Sequence, residues 1–251
     1  QLIREFGRPV IETQDENYVY EPTRLAVDYA GRMYVIAKGI NQGLVQLDEN
    51  GEFMSYMGAP KVSPTFTQII RRWFATKEQA AALMKIVPTE YNAVKMDDKG
   101  FLYVTAKTQN VKPISRLNSQ GENVLKYSKT AKMGYPSGDG DYADSTGAYL
   151  QTSFVDIAVR EDGSYLALDT LMGRVFAYDE GGSLLYVFGN MGALNGSFYS
   201  PSSLTAAGDD VLVTDRSKGS IDVFAPTDFG RCVNNAVGLQ KEGYLPKAEE
   251  A

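Results

Sequence analysis

Histidine is absent from this 251-residue chain, and cysteine occurs once, at Cys232. Without histidine there is no Ser-His-Asp triad, no Cys-His dyad and no metal site that depends on imidazole. A single cysteine forms no internal disulfide and, with no histidine beside it, completes no structural zinc site. The chemistry left open is that of carboxylates, Lys or Tyr, or of calcium held by oxygen ligands. Long apolar runs are also missing: no stretch of about 18 or more apolar residues reads as a membrane-spanning helix. Positive charge is in deficit, with 25 basic against 31 acidic side chains and a net charge of −6. The chain as a whole therefore lacks the electrostatic footprint of a nucleic-acid binder. Residue 1 is Gln, and residues 2–7 already read as the middle of a structural pattern. That start is expected of a trimmed or partial chain whose targeting segment lies elsewhere.

What the chain does contain is a repeat of strand-like runs joined by Asp/Gly turns. The first copy leads from Pro22 through Gly31 and residues 33–36 to residues 44–48, Gly51 and residues 53–58. The second carries residues 93–97, Gly100, residues 101–104, residues 114–118 and Gly121, and the third carries residues 155–159, Gly163, residues 165–168, residues 175–179, Gly182 and residues 184–189. A fourth runs from Pro201 through residues 211–213 to residues 221–224. Each half-unit brackets Asp-x-x-Gly or Asn-x-x-Gly with β-branched and aromatic residues, the signature of a hairpin. Asp or Asn accepts from turn amides while Gly supplies the positive φ. Four short antiparallel strands per unit, repeated radially, predict the blades of a β-propeller.

The third and fourth copies, with Ala167-Leu168-Asp169 before Gly173-Arg174-Val175 and Val213-Thr214-Asp215 before Gly219-Ser220-Ile221, resemble the NHL repeat. The resemblance implies an all-β chain: an NHL-type β-propeller with four legible blades of a six-bladed ring. It occupies residues 1–226, with a helical insertion at 61–88 and a short α-helical tail at 227–251. Residues 2–7 match the outer-strand pattern of residues 184–189, either as the end of a preceding blade or as the missing outer strand of the fourth.

In the first insertion the hydrophobic period changes from 2 to 3.6. Phe66, Ile69, Ile70, Trp73 and Phe74 share one face, and residues 76–79 read as a capping box opening a second helix. Such a stripe either packs a helical pair onto the scaffold or forms a basic amphipathic surface. On the second reading Arg71, Arg72 and Lys77 beside Trp73, with Lys61 and Lys85 against Glu78, would suit contact with an acidic partner or a membrane surface. The second insertion, residues 126–152, holds Asp139, Asp141 and Asp144, close to the oxygen-rich spacing of a calcium loop. Position 12 is Leu150 rather than the Glu of an EF-hand, so a solvated loop is the alternative. In the tail Phe229, Val233, Ala236, Val237 and Gln240 fall at helical spacing, and the run to Ala248 resembles the start of a tetratricopeptide repeat. Cys232 reads there as a small helix residue without a redox role.

Aligning the copies by their glycines places Ala37, Ala106, Asp169 and Asp215 at one equivalent position. The two aspartates are expected to accept from backbone amides within the blade. The next position holds Lys38, Lys107, Thr170 and Arg216, which form either a basic rim suited to an anionic ligand or a set of solvated loop charges.

Among enzymes of similar fold, the amidating-lyase and paraoxonase types rely on histidine and do not transfer to this chain. A gluconolactonase-like, divalent-metal-dependent lactonase is compatible with the composition, with Glu21, Asp156, Asp169 and Asp215 as the nearest ligands. Over most of its length the chain is similar to bacterial proteins that join an NHL propeller to tetratricopeptide repeats. That resemblance implies a non-catalytic scaffold binding a protein or glycan partner. It also implies an extracytoplasmic location and association with a membrane-transport complex, with no nucleic-acid partner and no resident cofactor, calcium being the one ion the 139–144 run would suit.

Overall fold

A computed structural model describes residues 1–40, 42–58, 90–106, 113–125, 141–143 and 149–244, with the backbone alone at 141–143 and 149–151. Among the described residues the chain is an all-β propeller of four blades followed by one helix. Blade 1 is β1 (Glu21–Val27), β2 (Met33–Lys38), β3 (Leu44–Leu47) and β4 (Phe53–Met57), paired in sequence order and antiparallel throughout. Blade 2 is β5 (Tyr91–Met96), β6 (Leu102–Ala106) and β7 (Ile114–Leu117), extended outward by a bridge from Leu117 to Asn123. A two-stranded hairpin, β8 (Asp141–Ala143) and β9 (Tyr149–Gln151), precedes blade 3. Blade 3 is β10 (Phe154–Val159), β11 (Tyr165–Asp169), β12 (Arg174–Tyr178) and β13 (Leu184–Phe188). A short parallel pair, β14 (Asn190–Met191) and β15 (Ser197–Phe198), leads into blade 4, made of β16 (Pro201–Ala207), β17 (Asp210–Asp215) and β18 (Ser220–Phe224).

The hairpins follow from turn chemistry. The Oδ1 atoms of Asp28, Asp48, Asp97 and Asn118 each accept from the amides two and four residues ahead, at 2.8–3.0 Å. Each carbonyl of the four accepts from the glycine three residues on. In blade 3 the equivalent position is Arg160, and Asp162 caps the amide of Ser164 instead. This exchange frees the Arg160 guanidinium. Gly58 and Gly189 end the outer strands of blades 1 and 3 at φ 67° and 82°. A Cβ there would meet Leu117 Cδ1 at 2.4 Å and the Gly173 carbonyl oxygen at 2.8 Å, so these glycines also permit close approach.

Three apolar clusters glue neighbouring blades face to face. Ala26, Tyr34 and Leu44 of blade 1 pack on Val94, Leu102 and Val104 of blade 2. Tyr103 and Ile114 of blade 2 meet Phe154, Ile157 and Phe176 of blade 3, and Leu166 and Val175 of blade 3 meet Leu204 and Val213 of blade 4 together with Phe198 of β15. The other face of blade 1 is covered at its outer part by Ile11, Tyr18 and Tyr20 of the N-terminal segment. Arg4 donates to the Glu49 carbonyl. The Leu2 to Gly7 run thus lies along blade 1, while the sheet of blade 4 has three strands and this run is not among them.

Helix α1 (Asp228–Lys241) begins at an N-cap Thr227 that accepts from the Gly230 amide. It docks through polar groups: Arg160 Nη1 donates to Tyr186 Oη at 2.7 Å and to Asn234 Oδ1 at 3.2 Å, and Tyr186 donates to the same Oδ1 at 2.9 Å. The docked side therefore carries Gly230 and Asn234. Phe229, which the periodicity places on the apolar stripe, is 65% exposed. Among the described residues no helix is long and apolar enough to cross a membrane. The helical insertion at 61–88 and the second helix expected after Gly243 lie outside the described residues.

Candidate functional site at the channel mouth

Each blade's innermost strand begins the same way. In blades 2 to 4 the first residue pairs with the last residue of the second strand, Tyr91 with Ala106, Phe154 with Asp169 and Pro201 with Asp215; the equivalent pair in blade 1, Pro22 with Ala37, is preceded by Glu21 with Lys38. In all four the register then slips by one residue. The bulged residues Thr23, Asn92, Val155 and Ser202 all line one cavity of about 380 Å³ at the end of the central channel. A bulge bends its strand and re-aims a side chain, which explains how four repeats converge on one opening. Interblade bonds hold this rim: Asn92 Nδ2 donates to the Phe154 carbonyl at 3.0 Å, and Thr170 Oγ1 to the Pro201 carbonyl at 3.2 Å.

Further along the channel a second cavity of about 450 Å³ is lined by Arg24, Lys95, Asp156 and Arg216 together with Ser203 and Thr205. Arg24, Ser202 and Arg216 border both spaces, so the two adjoin. Asp156 is buried; Oδ1 accepts from its neighbour's amide at Ile157 and Oδ2 from the Leu204 amide across the blade boundary at 2.9 Å. Burial raises its pKa, against these amides and the charges of Lys95 and Arg24.

The aspartates after the second strands are occupied with backbone. Asp169 Oδ1 accepts from the amides of Ser153 and Leu171, and burial raises its pKa. Asp215 accepts from Tyr199, Ser200, Ser217 and Lys218; burial pushes its carboxyl up, but these amides outweigh it and the pKa is lowered. Glu21 pairs with Lys38 at 3.3 Å. Among the described residues no group of three or more Cys, Asp or Glu side chains is placed to hold a metal ion. Asp156 and Asp215 accept from amides on both oxygens, Asp169 accepts through Oδ1 alone, and Glu21 stands in a surface pair; among the described residues the four do not form one metal-holding group.

No known family profile matches the chain. No curated protein matches it either. Among solved structures it is similar to a protein of unknown function from Bacteroides caccae, at 14% identity and a TM-score of 0.45 over 84% of this chain and 62% of that one. It is similar to virginiamycin B lyase from Staphylococcus aureus at 13% identity and a TM-score of 0.40 over 86% and 73% of the two chains. The WD40 β-propeller domain of Doa1 aligns at 11% identity with a TM-score of 0.49, over 84% of this chain and 51% of that one. The chain thus spans 62% of the first of these and about half of the last.

Of the residues singled out in the sequence, Lys38 and Arg216 stand on the rim beside Thr170. Lys107, Arg71, Arg72, Trp73, Lys77, Asp139 and Asp144 lie outside the described residues. The backbone of Asp141 pairs with Gln151 in the β8–β9 hairpin, where a loop is the sequence expectation. Sequence reasoning missed Arg24, Asn92, Lys95 and Ser202. Aligning the copies on their first strands would bring Arg24, Ala93, Asp156 and Ser203 to one position, but which of these faces the channel depends on the bulge.

Proposed function

We propose that this protein is a non-catalytic, NHL-type binding propeller whose channel mouth holds a glycan. The observation that supports this is the repeated bulge, which turns a residue of every blade toward one cavity edged with hydroxyls, an amide and cations. A cavity of about 380 Å³ suits one or two sugar rings, whose hydroxyls match Thr23, Asn92, Thr170 and Ser200 and whose apolar ring faces match Ile36 and Val155. The resemblance to bacterial NHL–tetratricopeptide proteins supports an exported scaffold working beside a transport complex, with α1 as a second interaction surface. The test is an oligosaccharide array probed with the parent chain and with Ser202→Trp, which fills the mouth. Retention of a subset of glycans by the parent and their loss in the variant is the expected result. An array that retains nothing, or retention that Ser202→Trp leaves unchanged, overturns the reading.

A further inference from the structure

We propose that the inner channel is an oxyanion subsite in which Arg24, Lys95 and Arg216 bind the carboxylate of an acidic saccharide, a refinement that rests on the glycan reading of the mouth. The three cations come from blades 1, 2 and 4 and meet around a single cavity. Elsewhere among the described residues many cations are matched, Lys38 to Glu21, Lys99 to Glu180, Arg116 to Asp97, Lys218 to Asp222, Arg231 to Asp228 and Lys241 to Asp98, while Arg4, Arg8 and Arg160 donate to carbonyl or side-chain oxygens without an ion pair. Arg24, Lys95 and Arg216 make no ion pair among the described residues, in a chain whose net charge is −6. The one carboxylate in the cavity, Asp156, is engaged by the amides of Ile157 and Leu204. It faces Lys95 and Arg24 closely enough to feel their charge without forming a salt bridge to either.

A concave wall with three cations and one carboxylate focuses a positive potential and selects an anion. Guanidinium forks favour an oxyanion with two oxygens in one plane, and Arg24 and Arg216 each border both cavities, so they link the anionic end to the hydroxyl-lined mouth. A ligand filling both spaces carries a carboxylate on a polyhydroxylated body, as a uronic acid does. Sulfate and phosphate share the oxyanion chemistry without that body.

Titration calorimetry with digalacturonic acid, the corresponding neutral digalactoside and inorganic phosphate separates these sources. The acidic disaccharide is expected to bind at least about tenfold more tightly than the neutral one and to weaken as salt is raised. Arg24→Gln, Lys95→Gln and Arg216→Gln should each lower its affinity by about tenfold, and Lys95→Gln, which borders the inner cavity alone, should leave the neutral disaccharide unaffected. Melting temperatures of the three variants confirm that each is folded; Lys95 and Arg216 are exposed and cost the fold little. Equal binding of both disaccharides, or binding indifferent to the three substitutions, overturns the oxyanion subsite and leaves the glycan mouth standing. Phosphate binding as tight as the uronate's overturns the saccharide assignment, and failure of both disaccharides to bind overturns the mouth reading itself.

Discussion

Asp169 and Asp215 occupy the same place in successive blades, yet their surroundings push their carboxyls in opposite directions. For Asp169, burial holds the native pKa above its ordinary value, against the amides of Ser153 and Leu171. The native state then binds the proton more tightly than the unfolded chain does. Its contribution to stability is present below the ordinary aspartate value of about 3.9 and is lost as pH rises through the raised native value. Asp169→Asn should therefore gain stability relative to the parent as pH rises from about 4. Four amides outweigh burial at Asp215, and its contribution is present above about 3.9 and is lost as pH falls through the lowered native value. Asp215→Asn should be less stable than the parent at neutral pH, by about 1 to 3 kcal/mol, and this deficit should shrink in acid. Melting curves of both variants across the acid range check the two signs. Arg116 offers a second residue-scale test. Its guanidinium sits 2.9 Å from Asp97 and 2.8 Å from Glu180, over the Phe101 ring at 4.0 Å. Arg116→Met leaves Asp97 buried and unpaired and should cost about 3 kcal/mol in urea unfolding.

Among the elements, one position of the innermost strand shows how far blade packing extends. Leu25, Val94, Ile157 and Leu204 are equivalent by register. The last three are 2%, 0% and 3% exposed because each faces the preceding blade, whereas Leu25 is 55% exposed. At the other end of the arc, Ile221 and Val223 of β18 are 63% and 61% exposed, where Val175 and Ala177 at the equivalent strand of blade 3 are fully buried. The described blades therefore form an open arc whose two end faces do not meet. Ile157→Ala should cost about 3 kcal/mol, and Leu25→Ala under about 1 kcal/mol; equal costs in denaturant titrations would contradict the open face. The helix gives a further test at this scale. Asn234→Ala removes the acceptor shared by Arg160 and Tyr186 and should cost about 1 to 2 kcal/mol, with faster hydrogen exchange confined to α1. Retained protection in α1 would mean that its docking does not rely on this cluster.

For the whole molecule, much was legible from local chemistry. An Asp-x-x-Gly turn is completed within four residues, so the hairpins at Asp28, Asp48 and Asp97 form as the sequence predicts. The missing histidines likewise decide, whatever the fold, that imidazole chemistry is absent. The α1 stripe was less legible: its seat is set by Arg160, which replaces a turn aspartate in another blade, and the partner of a helix face is not encoded in its own period. The channel depended on tertiary structure altogether. Thr23, Asn92 and Ser202 reach the mouth because a bulge shifts the two-residue alternation at one point in each strand, a change that adds no sequence signal of its own. Arg24, Lys95 and Arg216 are far apart in the chain and become one charged site only when blades 1, 2 and 4 stand around a common axis. Sequence determined the strands, the turns and the excluded chemistries because those are settled by near neighbours. Tertiary structure decided the site, because a potential is the sum of charges that only the assembled arc of blades brings within reach of one another.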